Sequence, residues 1–462
     1  MEPIRFGTDG WRGVIAEDYT FKNLRRVAKA FAEFLKEEGK PEAVVGFDAR
    51  FLSEAFALEA ARVMREAGVA TRVAKRLLPT PVTSFAVVHY GAGGGAMITA
   101  SHNPPEYNGF KLKGPYGGSA TPEMVKRVEA RIPDEEVKSP GGEVERFNVE
   151  KPYYGKLAEL VDLELLRPYE GVLYHEAMGG AGGGWISGFA RYAELKLEVR
   201  DLHAVPHPLF YGVNPEPIPK NLKTLIALMQ NESDPTFAAA TDGDADRIGV
   251  VLAGGRYFNS HQIFAVLLKH LYDKGYRGRV VKTFSVSKII DLLAEKLGLE
   301  LVTTPVGFKY ITEEFLKGGV LIGGEESGGI GVIGHIPERD GILNALLLLE
   351  SVARTGKSLA EQFAEIERLT GFVHAYERLD LKLESNEVKE RAMARAKEPA
   401  PLAGRAVSEV ETLDGVKWHL GDDAWVLFRP SGTEPVLRIY AEAPSEEEVG
   451  RILKAAKDHL GL

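Results

Sequence analysis

The sequence contains no cysteine, which excludes disulfides, Cys-ligated zinc and thiol nucleophiles. Glutamine is almost as scarce, with only Gln230, Gln262 and Gln362 in 462 residues. Long apolar runs are missing as well. The longest, around residues 343–349, falls far short of the ~18–20 residues that span a membrane. The first residues, Met1-Glu2-Pro3-Ile4-Arg5, lack the charged-then-apolar pattern of a signal peptide, so a cytoplasmic protein with no membrane partner is expected. Nor is there a basic excess. Lys+Arg number 57 against 66 Asp+Glu, a formal net charge of −9, which argues against a general nucleic-acid binder. A small anionic ligand stays open, because a few Arg and Lys in one cleft override the bulk charge.

What remains is an ordinary globular composition, 44% hydrophobic and 27% charged. The length suggests about three domains at roughly 150 residues each. Few thermolabile residues and abundant Glu and Arg predict a thermophilic source.

Apolar residues at helical spacing (Leu24, Val27, Ala28, Phe31, Leu35), then short apolar runs at 43–47 and 69–73 around a helix starting after Ser53, its expected N-cap, give a βαβ rhythm and predict a parallel sheet. A new unit begins after the charged, Pro/Gly-rich stretch 133–151. Its stretch 203–219 reads as a long loop, and the strand 237–241 runs straight into an acidic turn. Strands at 279–283, 299–304 and 320–322 alternate with helices at 287–297 and 340–354. The last ninety or so residues read differently: a strand at 372–383, a helix at 386–397, a hairpin at 407–420 around Asp414-Gly415, and two strands flanking 429–435. A closing helix begins at Ser445, with Glu448 placed for a capping box.

Four loops that follow strands carry chemistry, where open α/β sheets present ligand groups. In Thr99-Ala100-Ser101-His102-Asn103-Pro104-Pro105, Ser101 sits on a stiff turn as an exposed nucleophile or phosphate carrier, with His102 or Lys111 to manage its proton; the same residues also suit an ordinary polar turn. In Asp242-Gly243-Asp244-Ala245-Asp246-Arg247, alternate carboxylates bite a hard cation with oxygen. It is not an EF-hand, since Arg247 and Ala253 stand where that loop needs Gly and Glu. Such a site suits Mg²⁺ that also meets a phosphate. Gly324-Glu325-Glu326-Ser327-Gly328 offers a carboxylate and a hydroxyl for neighbouring sugar hydroxyls. Arg429-Pro430-Ser431-Gly432-Thr433-Glu434-Pro435 combines a guanidinium fork, two hydroxyls and a glycine turn, the donors a phosphate dianion needs.

Taken in this order, together with Phe6-Gly7-Thr8-Asp9-Gly10-Trp11-Arg12-Gly13, these loops resemble the α-D-phosphohexomutase superfamily over nearly the whole chain. The resemblance implies three related α/β mixed-sheet domains and a C-terminal α+β domain around a central cleft, at 1–155, 156–260, 261–370 and 371–462. It implies that Ser101 is the phosphoserine and a metal ligand, with Asp242, Asp244 and Asp246 holding Mg²⁺. Arg12, His102, Lys111 and Arg247 become active-site groups, with Lys111 or His102 the acid/base. Glu325 and Ser327 become sugar readers and Lys309 the basic residue of a specificity loop. Arg429, Ser431, Gly432 and Thr433 become the holder of the non-reacting phosphate. The implied reaction isomerises a phosphosugar through glucose 1,6-bisphosphate, in a monomer or homodimer. Gly-Glu-Glu-Ser-Gly and Gly307-Phe308-Lys309 resemble the phosphoglucomutase form. Gly329 stands where phosphomannomutase/phosphoglucomutases and phosphoglucosamine mutases often carry His, a departure from their pattern. A magnesium phosphatase is disfavoured, because Asp9 sits in Gly-Thr-Asp-Gly-Trp-Arg and not in a nucleophile loop.

Overall fold

The opening motif becomes a short strand, Trp11–Val14 (β1), and the βα rhythm behind it yields Glu42–Phe47 (β2), Ala70–Ala74 (β3) and Gly94–Ile98 (β4). These coordinates, a computed structural model, describe residues 3–7, 9–232, 236–432 and 435–462. Thr8 and Thr433 therefore lie outside the described residues. Tyr107–Gly114 (β5), Gly118–Ser119 (β6) and Glu145–Phe147 (β7) complete a seven-stranded sheet ordered β1-β5-β4-β2-β3-β7, with β6 on β5. The strands β4, β2, β3 and β7 run parallel, but β5 is antiparallel to both β4 and β1. The sheet is thus mixed, in keeping with the expected mixed-sheet fold class, and not purely parallel as the βαβ rhythm alone predicts. The connection from β4 to β5 is too short for the crossover that a parallel neighbour requires.

The helix Phe21–Glu37 buries the expected stripe of Leu24, Val27, Ala28, Phe31 and Leu35, and Thr20 caps it by accepting from the Asn23 amide at 3.2 Å. Ser53 does not cap the next helix, Ser53–Glu66. Leu52 precedes that helix in a left-handed conformation, and the Ser53 hydroxyl donates to Asp48 Oδ1 at 2.8 Å.

The strands Val172–Glu176 (β8), Glu198–Leu202 (β9), Phe237–Thr241 (β10), Ile248–Val251 (β11) and Tyr257–Phe258 (β12) form a second mixed sheet, ordered β12-β11-β10-β8-β9. The acidic turn 242–247 links β10 to its antiparallel neighbour β11. Between β9 and β10, the stretch 203–219 is a loop holding one short 3-10 turn, Phe210–Gly212, with a second, Pro219–Asn221, at its end.

The chain divides into two compact units, Met1–Arg279 with Gly307–Gln362, and Val280–Val306 with Phe363–Leu462. The strands Arg279–Thr283 (β13) and Leu301–Thr304 (β14) pair in parallel, with register from Val280 in the second unit. In the first unit, Val320–Gly324 (β15) and Ile330–Val332 (β16) form an antiparallel hairpin. The helix Gly341–Thr355 follows, capped by Asp340, which accepts from the Ile342 and Leu343 amides.

The second unit also carries Ala375–Lys382 (β17), Glu409–Glu411 (β18), Val416–His419 (β19), Trp425–Pro430 (β20) and Val436–Ala443 (β21), all antiparallel in the order β17-β21-β20-β19-β18. Trp418, Phe428, Ile439, Ile452 and Leu453 form its buried core beneath the helices Asn386–Ala396 and Glu446–Leu460. Ser445 caps the last helix, but Glu448 accepts from Arg405 Nε at 2.6 Å, so only half of the expected capping box forms. Among the described residues, no helix is long and apolar enough to cross a membrane.

Candidate active site

Between β4 and β5 the chain turns through Ser101, which is fully buried at φ 53°, a left-handed conformation that side chains enter at a cost. Its amide donates to Thr99 Oγ1 at 2.9 Å and its hydroxyl donates to Asp242 Oδ2 at 2.9 Å. The approach depends on Gly243: a Cβ there would lie 2.4 Å from the Ser101 carbonyl oxygen. His102 follows half-buried, and Arg12 donates to Asn103 Oδ1 at 2.6 Å.

Asp242, Asp244 and Asp246 are all buried, and one oxygen from each lies within 4.8 Å of the others. Asp242 Oδ1 accepts from the Arg247 amide at 3.1 Å. Asp244 Oδ2 accepts from Thr80 Oγ1 at 2.6 Å and from Lys111 Nζ at 2.7 Å. Asp246 Oδ2 meets Lys111 Nζ and Arg339, each at 3.0 Å. Among the described residues, the other oxygens of Asp244 and Asp246 are buried without a hydrogen-bond partner. An anionic oxygen left in that state is costly, so the cluster fits a hard divalent cation bound through oxygen. Burial pushes Asp242 well above the usual carboxylate range, and the Asp244 and Asp246 charges push it further. Burial acts the same way on Asp244, but Lys111 and the Thr80 hydroxyl outweigh it and pull that carboxyl down. Burial alone would lower Lys111. Asp244, Asp246 and Asp9 reverse that and keep its ammonium protonated. The Arg247 side chain lies beside the cluster, with Nε 3.9 Å from Asp242 and 4.0 Å from Asp246.

At the end of β15, Glu325 is buried and accepts from the Gly307 amide at 3.1 Å. Burial raises its carboxyl, while Arg339 and Arg247 oppose the rise. Among the described residues, Ser327 Oγ is buried without a hydrogen-bond partner. Lys309 opens the helix Phe308–Leu316 with its ammonium 5.4 Å from the Tyr310 ring centre. At 329 a Cβ would lie 2.4 Å from Arg339 Cδ, so the stem of Arg339 fills the space a larger residue would need.

The fourth loop belongs to the second unit. There Arg429 Nε lies 3.1 Å from Asp414 Oδ2, the Ser431 amide donates to the Val436 carbonyl at 2.8 Å, and Lys389 Nζ donates to the Ser431 carbonyl at 2.9 Å. Among the described residues other than its chain neighbours, nothing lies within 4 Å of a Cβ built on Gly432.

The first unit therefore holds Ser101, His102, Arg12, Lys111, the three aspartates, Arg247, Lys309, Glu325 and Ser327, and the second holds Arg429, Ser431 and Gly432. Four groups of the site had no role assigned from the sequence, although Asp9 stands in its opening motif. Asp9 accepts from Arg339 at 2.6 Å and meets Lys111 at 2.9 Å. Thr80 and Arg339 hold the aspartates, and Arg50 donates to the Ser101 carbonyl at 2.8 Å. Asp9 left a sequence signal in Gly7-Thr8-Asp9-Gly10-Trp11-Arg12, and Arg50 in Asp48-Ala49-Arg50 directly after an apolar strand.

Residues 3–138, 151–255 and 259–369 match the phosphoglucomutase/phosphomannomutase alpha/beta/alpha domains I, II and III, and residues 387–459 match the C-terminal domain of the same family. A phosphoglucomutase/phosphomannomutase of Thermococcus kodakarensis is 32% identical over 455 residues, covering 97% of this chain and 96% of that protein. A Pyrococcus abyssi protein described as a candidate phosphoglucosamine mutase is 32% identical over 458 residues, covering 98% and 96%. A crystal structure from Thermus thermophilus, described as a candidate phosphomannomutase, superposes over 100% of both chains with a TM-score of 0.92 and 50% identity. The chain belongs to the phosphoglucomutase/phosphomannomutase family of the α-D-phosphohexomutase superfamily, whose members are isomerases.

Proposed function

We propose that the chain is a Mg²⁺-dependent phosphoglucomutase that interconverts glucose 1-phosphate and glucose 6-phosphate. The observation that carries this is the Ser101 hydroxyl donating to Asp242 at the rim of a buried, oxygen-only carboxylate triad. Phosphorylated Ser101 transfers its phosphoryl group to the free sugar hydroxyl: the P–Oγ bond breaks, a P–O bond to the sugar forms, and the hydroxyl proton is lost while the departing Ser101 Oγ gains one, so that serine ends as its hydroxyl. The resulting glucose 1,6-bisphosphate turns over and returns its other phosphoryl group to Ser101, so no phosphate is lost. When bound by Asp242, Asp244, Asp246 and the phosphorylated Ser101, Mg²⁺ supplies charge neutralisation at the transferring group. Arg12 and Arg247 contact the transferring phosphoryl oxygens. Lys111, held as an ammonium, suits the acid half of proton transfer, and His102 is the second candidate. Glu325 and Ser327 read sugar hydroxyls, Lys309 adds a cation to the specificity loop, and Arg429, Ser431, Gly432 and Thr433 hold the phosphate that does not react. Glucose 1,6-bisphosphate primes unphosphorylated enzyme.

The Gly-Glu-Glu-Ser-Gly form of the reader loop favours glucose. Phosphomannomutase is the second reading, favoured by the description of the 50% identical Thermus relative. The test is kcat/KM on glucose, mannose and glucosamine 1-phosphates with the bisphosphate primer. Glucose is expected to lead by about tenfold or more, the scale of one well-read hydroxyl. Equal glucose and mannose values would overturn narrow glucose specificity, and turnover of none would overturn the mutase reading. Ser101→Ala is expected to lose on the order of 10⁴-fold in kcat together with all phosphoprotein.

A further inference from the structure

Arg50 commits all five of its guanidinium N–H groups to protein acceptors. Its Nε meets Asp48 Oδ2 at 3.2 Å. One terminal nitrogen donates to the carbonyls of Pro104 at 2.7 Å and Tyr107 at 3.0 Å, and the other to those of Ser101 at 2.8 Å and Asn103 at 2.7 Å. The side chain has no exposed surface, and the Phe210 ring covers it at 4.9 Å. Asp48 is fixed in turn, accepting from Thr99 Oγ1 at 2.6 Å, Ser53 Oγ at 2.8 Å and the Arg50 amide at 3.0 Å. The loop around Ser101 is therefore tied on both sides, at Thr99 through Asp48 and at four carbonyls from Ser101 to Tyr107 through Arg50. The Pro104 carbonyl also accepts from the Tyr107 amide at 3.1 Å, but the guanidinium is the one partner that all four share. Without it, four carbonyls along this backbone path lose a shared donor, and the Ser101 carbonyl, the buried one, loses a donor that water cannot readily replace.

We propose that Arg50 is a positioning residue for phosphoryl transfer, fixing the Ser101 loop so that Oγ stays against Asp242, without touching substrate. This rests on the reading of Ser101 as the phosphorylated residue. A planar fork of five donors is needed, and an ammonium with three donors on one atom cannot reach four separated carbonyls. A displacement of about 1 Å at a reacting atom costs roughly 10²-fold in rate.

The test uses the full-length enzyme with glucose 1-phosphate and bisphosphate primer. Arg50→Lys is expected to lower kcat by about 100-fold while KM stays within about threefold, because the lost interaction acts on the reacting atom and not on substrate binding. Its amide hydrogen exchange is expected to accelerate at residues 101–107 and to stay unchanged in the strands of the first sheet. Arg50→Ala is expected to lose more, and added guanidinium ion below denaturing concentration to restore about tenfold of the loss. A wild-type kcat in Arg50→Lys, or exchange that accelerates uniformly across the sheet, overturns the proposal. Should Arg50→Ala fail to fold, the rates and exchange of Arg50→Lys decide alone. Full turnover in Ser101→Ala would sink the phosphoserine reading separately, and the exchange pattern would still report on the Arg50 clamp.

Discussion

Lys113 Nζ lies 2.6 Å from Glu338 Oε2, and neither side chain has any exposed surface. The pair ties β5 to the segment that leads into the helix Gly341–Thr355, and Ser84 adds a third attachment by donating to the same Glu338 oxygen at 2.9 Å. Burial alone would raise Glu338, but Lys113 and Arg339 hold it below the ordinary carboxylate range. Removing one partner leaves the other charge stranded. Lys113→Met is expected to cost about 3–5 kcal/mol in denaturant unfolding, and adding Glu338→Leu to that variant to recover most of the loss. If the double variant is no more stable than the single, the two residues are not acting as a pair.

Gly243 controls how closely the aspartate loop approaches the serine loop. With a Cβ 2.4 Å from the Ser101 carbonyl, neither backbone can stay in place, and both are fixed by other bonds. Gly243→Ala is expected to destabilise by about 1–3 kcal/mol and to lower kcat by at least about tenfold. Steady-state rates set beside a thermal melt check both, and an unchanged kcat would mean that the contact is easily relaxed.

How much of this was legible beforehand follows from range. A loop that puts several functional groups within a few residues, such as 242–247, announces its chemistry because spacing along the chain is spacing in the site. Strand and helix positions were legible where periodicity was strong, as in Phe21–Glu37, and the apolar run 237–240 of β10 pointed straight at the aspartates. The antiparallel turn of β5 was not, because direction depends on the length of a connection and not on the pattern of the strand. Arg339 and Thr80 were invisible for a related reason. Arg339 reaches Asp9 from 330 positions away, and Thr80 reaches Asp244 from 164. Ser53 carried a helix-cap signature, yet the buried Asp48 carboxylate claimed its hydroxyl.

The second oxygens of Asp244 and Asp246 give metal binding a direct test. Saturating Mg²⁺ at 100 times its Kd is expected to stabilise the wild type by about 2.7 kcal/mol, read as a rise in Tm. Asp244→Asn is expected to abolish the rise. Thr80→Val removes only the hydroxyl that fixes Asp244 and is expected to weaken Mg²⁺ by about 10–100-fold in calorimetry. Turnover should vanish with EDTA and return with Mg²⁺. A Tm response that persists in Asp244→Asn would place the ion elsewhere.

Acid sensitivity should trace to Glu350, which lies outside this site. Buried in the helix Gly341–Thr355, it meets His270 Nε2 at 2.8 Å and Lys274 Nζ at 2.6 Å, and accepts from the Asp162 amide at 2.6 Å. Burial would raise its carboxyl, but these partners prevail and pull it from 4.5 to about 2. A depressed folded-state pKa means that the unfolded chain takes up the proton first. The stabilisation is therefore complete above about pH 4.5 and drains away as pH falls from there toward 2. Glu350→Gln cannot ionise, so its stability deficit relative to wild type is expected to be constant from pH 7 to 5 and to shrink below that. Parallel urea titrations at pH 7, 5, 4 and 3 measure it. A deficit that stays constant down to pH 3 would show that the contacts of Glu350 do not depend on its charge.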